Sequence, residues 1–183
     1  MDNVKIKSAK IKEGLFLSGS YVEDLPGHSK NKLKFDRTVP IHTDLVDAFA
    51  KLNKHFAILT DGIVLPAKVK NLANWEDENL EKFFVDGFTI GGNDENEGVT
   101  LIGSHDGTYG SFPLNTPFQK WEASEYDHIG DLGSDINACI YEVEQYLFEG
   151  KKAPEKQLDM FDDNGGEEDV LQDGEIEIDK VHE

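Results

Sequence analysis

Residues 4–12 read VKIKSAKIK, and the fold turns on how this stretch is taken. Val4 and Ile6 alternate with Lys5 and Lys7 at the period of two expected of a half-buried strand. Ile11 breaks that parity, so the segment needs one extra residue, a bulge or turn, near Ser8–Ala9. Kept as one strand, it becomes the first of three. GLFLSGSYVED (14–24) supplies the second and KNKLKFDRTV (30–39) the third, in which Lys32 and Lys34 alternate with Leu33 and Phe35. The intervening DLPGHSKN contains Pro26–Gly27, a strong turn signal. Three antiparallel strands in a meander follow from this pattern.

Downstream the period changes. In HTDLVDAFAKLNKHF (42–56), Leu45, Phe49, Leu52 and Phe56 fall on one face of a helix. Thr43 is the predicted N-cap, with Asp44 and Asp47 near the positive end of the helix dipole. Residues 58–70 read as short β-like segments around Asp61–Gly62, and NLANWEDENLEK (71–82) as a loop. KFFVDGFTIGG and VTLIGSH form a hairpin around the acidic turn NDENEG (93–98). A loop through Pro113 and Pro117 leads to a second helix marked by Leu132, Ile136, Cys139, Ile140, Val143 and Leu147, capped at Ser134 and ending at Gly150. The order predicts an α+β domain over residues 1–153, in which an antiparallel sheet, made of the N-terminal three-stranded meander and the later hairpin, is packed by two main helices. Pro154 ends this compact part. Residues 154–183 form an acidic tail whose low hydrophobicity and high charge predict disorder.

A chain of 183 residues suffices for one domain with a core plus an appendage. The net charge of −19 is unevenly spread. Residues 1–70 carry 12 basic and 8 acidic side chains, residues 71–156 carry 5 and 18, and residues 157–183 carry 1 and 11. The beginning is mildly basic and the tail strongly acidic, which bears on partners more than on fold. Cys139, the only cysteine, excludes an internal disulfide and a cysteine-based zinc site. No apolar run approaches membrane-spanning length and MDNVKIKSAK lacks a signal-peptide hydrophobic region, so a cytoplasmic chain is expected.

GGNDENEGVTLIG, LNTPFQKWE and ACIYEVEQYLFEGKKA, followed by a Gln-x-x-x-Phe tail, resemble small phage and prophage proteins of gut bacteria over most of residues 1–161. That resemblance implies a phage or mobile-element setting and no particular activity. Within PEKQLDMFDDNGGEED, the pentapeptide Gln157-Leu158-Asp159-Met160-Phe161 is similar to the peptide with which bacterial polymerases and repair proteins bind the sliding clamp, usually Gln-Leu-Ser/Asp-Leu-Phe, with Met160 in place of leucine. Leu158 and Phe161 would fill apolar pockets and the Gln157 amide would hydrogen-bond. A single copy on an unstructured carrier would bind at roughly micromolar strength, about −8 kcal/mol at most. The bland alternative is a latch, in which Leu158, Met160 and Phe161 fold back on the domain.

The basic strands are the second candidate. In the meander Lys5, Lys7, Lys32 and Lys34 share one sheet face, with Phe16 or Tyr21 nearby. Lysines tracking phosphates beside aromatics that stack on bases are the recipe for single-stranded nucleic acid, although a plain solvated face has the same composition. NDENEG echoes half of an EF-hand loop, yet it lacks the bidentate glutamate and the flanking helices. His42-Thr43-Asp44 and His105-Asp106 have no partner at metal-ligand spacing. No phosphate-binding loop or nucleophile elbow is present. The sequence therefore predicts a non-enzymatic accessory protein of phage-type DNA replication or recombination, without cofactor, that binds single-stranded DNA and is recruited to the host sliding clamp. The alternative is an acidic DNA mimic that blocks a host nucleic-acid-binding protein.

Overall fold

The computed structural model describes residues 3–24, 27, 30–66, 69, 71–72, 74–122 and 124–154. Seven strands form one antiparallel sheet: β1 (Val4–Lys12), β2 (Phe16–Glu23), β3 (Asn31–Asp36), β4 (Phe83–Gly91), β5 (Gly98–Gly107), β6 (Gly110–Asn115) and β7 (Gln119–Lys120). Their spatial order is β3-β2-β1-β4-β5-β6, with β7 pairing the start of β5. Helices α1 (Thr43–Leu59) and α2 (Ile129–Phe148) pack on each other and on one face of this sheet. The predicted α+β architecture is the observed one. No described helix is long and apolar enough to cross a membrane.

The bulge in VKIKSAKIK decides which side chains reach the core. Ile6 lies opposite Tyr21 and Ser8 opposite Ser20, so Lys7 is the extra residue. It sits just upstream of the predicted Ser8–Ala9. Because Lys7 and Ser8 both turn outward, Ile6, Ala9 and Ile11 all face the helices despite their broken parity. A second bulge, between Val85 and Gly87, does the same for Val85 and Phe88. Close backbone approach accompanies the first bulge. A Cβ on Gly19 would stand 2.1 Å from the Ser8 carbonyl oxygen, so only glycine fits there.

Between the sheet and the helices, Leu45, Phe49, Leu52 and Phe56 of α1 meet Leu132, Ile136, Cys139 and Val143 of α2, all essentially solvent-free. Phe49 packs on Phe88 with ring centroids 5.8 Å apart. Burial pushes the Cys139 thiol up to about 12, which makes it an inert core group. After α2 the chain is tied down by Lys151, whose ammonium lies 2.7 Å from Asp44 and 2.6 Å from Glu142. That ammonium holds the Asp44 carboxyl below its usual value.

Several local expectations change. His42, not Thr43, caps α1: its Nδ1 accepts from the Asp44 amide at 3.2 Å. Among the described residues of 58–70, the predicted β-like segments are absent; the stretch opens with the end of α1 and a turn through Asp61, which takes φ +55°. Pro113 lies in β6 and not in a loop, tolerated because β6 is the sheet edge. The helix α2 starts at Ile129, so Ser134 is inside it, and its hydroxyl donates back to the Gly130 carbonyl. Gly150 follows the helix end at φ +72° as predicted.

Phe88 is fully buried where β1 meets β4. Phe88→Ala is expected to remove about 3–5 kcal/mol of stability, read as a lower urea midpoint with an unchanged slope.

Candidate nucleic-acid interface

The face of the sheet opposite the helices has no covering layer among the described residues. Register places Lys5, Val22 and Lys32 side by side across β1, β2 and β3, and one step along it places Ser8, Ser20 and Lys34. Alternation from Ser8 onward adds Lys10 and Lys12. Small polar residues lie between the cations: Ser8 and Ser20 share a hydrogen bond of 2.8 Å, and Ser18 stands beside Lys10. A shallow concavity of about 770 Å³ opens on this face at the Val4–Lys7 end, lined by Lys5, Lys7, Lys30, Lys32, Lys34 and Ser20 among others.

Not every cation is available. Lys7 is paired with Glu97 at 2.7 Å and Lys12 with Asp36 at 2.7 Å, while Lys30 and Asp24 stand 4.0 Å apart. Among the described residues, no carboxylate lies within that distance of Lys5, Lys10, Lys32 or Lys34. Three of the four lysines predicted as contacts thus present unpaired charge on one surface, and the fourth is held at its rim. Adjacent strands are spaced at roughly 4.8 Å, so Lys5 and Lys32, two strands apart, repel each other through about 10 Å of partly screened solvent. An anion settling between them relieves that repulsion.

The two aromatic candidates separate. Phe16 lies opposite Lys12 on the lysine face, half-buried. Tyr21 belongs to the helix face, where its ring meets Phe148 edge-on at 5.5 Å and lies 6.3 Å from Phe35. Gln157, Leu158, Asp159, Met160 and Phe161 lie outside the described residues. Lys10, Lys12, Lys30 and the Ser8–Ser20 pair were missed by sequence reasoning. The bulge held the missing signal, because it puts Lys10 and Lys12 in phase with Lys5.

A second polar cluster lies between the helices. His55, 1% exposed, is 2.7 Å from the Tyr126 hydroxyl at Nδ1 and 3.3 Å from Asp135 at Nε2. A carboxylate only accepts, so Nε2 carries a proton, and a neutral ring then takes the Tyr126 hydroxyl hydrogen at Nδ1. Both ring nitrogens are committed to protein groups. The ring therefore pins the segment before α2 onto α1, and burial together with Asp131 and Asp135 raises the Tyr126 phenol far above its ordinary value.

No protein family, curated protein or solved structure matches the chain.

On the lysine face, Asp86 is held at the β4 bulge, where burial raises its carboxyl and nearby Lys10 offsets part of the rise. A raised carboxyl costs stability once ionised, at pH values above its folded value, and costs nothing when protonated in both states. Asp86→Asn is therefore expected to raise the thermal midpoint at pH 7, with the gain fading as pH falls through the carboxylate range; melting curves from pH 3 to 8 read this.

Proposed function

We propose that the protein is a non-enzymatic nucleic-acid-binding accessory protein that holds single-stranded DNA on the lysine face of its sheet and is brought to a replication site by the pentapeptide 157–161. The observation that carries the first half is the row of unpaired Lys5, Lys32 and Lys34 on an uncovered sheet face, with serines between them that allow close approach of a phosphate chain. Lysines without carboxylate partners need no ion pair broken before they take a phosphate. The commitment of both His55 nitrogens supports a binding role over a catalytic one.

The test is anisotropy of a labelled 20-nucleotide single strand. Nonspecific binding in the range of about 10⁻⁶–10⁻⁴ M is expected, weakening with salt at a slope of about −0.7 per phosphate neutralised. The triple variant Lys5→Glu/Lys32→Glu/Lys34→Glu should lose at least about tenfold at 50 mM salt and flatten the slope by about two units. No binding at 100 µM protein in low salt would remove this reading.

The recruitment half is tested separately with a labelled peptide of residues 154–183 and the sliding clamp of the bacterial host. Binding at roughly micromolar Kd, abolished by Phe161→Ala, is expected. Failure of both peptides to bind leaves the pentapeptide as a latch.

A second reading draws on the opposite side of the molecule. Asp44, Asp127, Asp131 and Glu149 are exposed on and around the helices, a carboxylate surface of the kind a DNA mimic would offer. Salt-sensitive affinity for a basic nucleic-acid-binding protein, with none for DNA, would select it.

A further inference from the structure

Strands β1 and β4 are paired only from Ser8 to Lys10 against Gly87 to Thr89. Toward the start of β1 they part: Val4–Lys7 have no partner on β4, and Ile90 and Gly91 pair only with β5. Helix α2, from Ile129 to Glu144, lies beneath the opening and makes a third wall. The result is a cleft of about 510 Å³. Its surface is apolar at Ile6, Ile90, Ile129, Ile136 and Ile140, and Trp121 stands at its edge. Gly133 leaves the helix wall bare there: a Cβ on it would meet only Trp121 Cζ3, at 3.9 Å. Asn137 and Glu144 bring a polar edge to the same space.

This cleft and the lysine concavity are neighbours around one rim. Lys5, Lys7, Ile90 and Glu97 line both, and on that shared rim Glu97 is neutralised by its pair with Lys7. A ligand crossing the rim would place an anion among lysines and an uncharged ring beside Trp121. One nucleotide of a single strand has that build. An alkyl chain would leave Asn137 and Glu144 unused, whereas a base edge offers donors and acceptors to both. Duplex DNA cannot supply a ring here without unstacking it, at a cost of a few kcal/mol.

We propose that the cleft between β1, β4 and α2 is a base-binding site, which takes one unstacked nucleobase of a single strand against Trp121 while the flanking phosphates lie on Lys5 and Lys32. The inference rests on the nucleic-acid reading above and adds to it a preference for strands with accessible bases. Stacking on an aromatic side chain is typically worth about tenfold or more in affinity per base.

The experiment compares a mixed-sequence 20-nucleotide single strand with an abasic strand of equal length and charge, by anisotropy, on the full chain and on Gly133→Leu. Leucine is a better helix former than glycine, so this variant fills the cleft without weakening α2, and its melting curve checks that. The base-bearing strand is expected to bind the native chain about tenfold more tightly than the abasic one. Gly133→Leu should erase that difference and leave abasic binding unchanged. Equal binding of the two strands by the native chain would overturn the base site and leave the lysine face standing. A preference that survives Gly133→Leu would also overturn it. Binding of neither strand would overturn both readings together.

Discussion

Three residue pairs, Ser8–Thr89, Ala9–Phe88 and Lys10–Gly87, join the two halves of the sheet. On one side lies the meander β1–β3, whose residues are close in sequence and end at Asp36; on the other lies the set β4–β7, which begins only at Phe83. Neither half covers its own apolar face. The short ladder holds both flat enough for α1 and α2 to bridge them, and the helices in turn bury Ala9, Phe88 and Leu17 to essentially nothing. A junction of three pairs is weak as a ladder and strong as a core, because its stability comes from the aromatic and aliphatic packing underneath it. The same brevity leaves the strands free to diverge, and the cleft at Val4–Lys7 is a direct consequence.

The bulges are what reconcile this junction with the pattern of side chains. Without the extra residue at Lys7, either Ile6 or Ile11 would face solvent, and half of the lysines would face the core. With it, all the strand lysines of β1 leave the core and gather on one side. The geometry that completes the apolar core thus also concentrates the positive charge, and the two cannot be separated by mutation at that position.

Much of this was legible in the residues. Alternation in β1 and β3 and the 3.6 period of Leu45, Phe49, Leu52 and Phe56 reflect half-buried elements whose burial repeats in sequence. The shared face of Lys5, Lys32 and Lys34 followed from the meander alone. What was not legible has a common cause. β6 is exposed along its whole length and contains Pro113, so neither burial nor propensity marks it; only pairing with β5 makes it a strand. The first two turns of α2 carry Gly130 and Gly133, which weaken a helix signal. His55 looks like any polar residue on a helix until Tyr126 and Asp135 arrive from far along the chain. The adjacency of β1 and β4, and so the cleft between them, is a long-range fact with no local trace.

A protein of net charge −19 is an unpromising ligand for DNA if charge is treated as a single number. Screening makes that treatment inappropriate. At physiological salt the Debye length is about 8 Å, shorter than the thickness of the helix layer alone, about 10 Å. A phosphate on the lysine face would therefore respond mainly to the charges of that face, Lys5, Lys10, Lys32 and Lys34 with Asp86 beside Lys10, and little to the carboxylates of the helix side. On the proposed reading the acidic side would set how fast and how selectively an anionic strand approaches, while the lysine face would set where it rests.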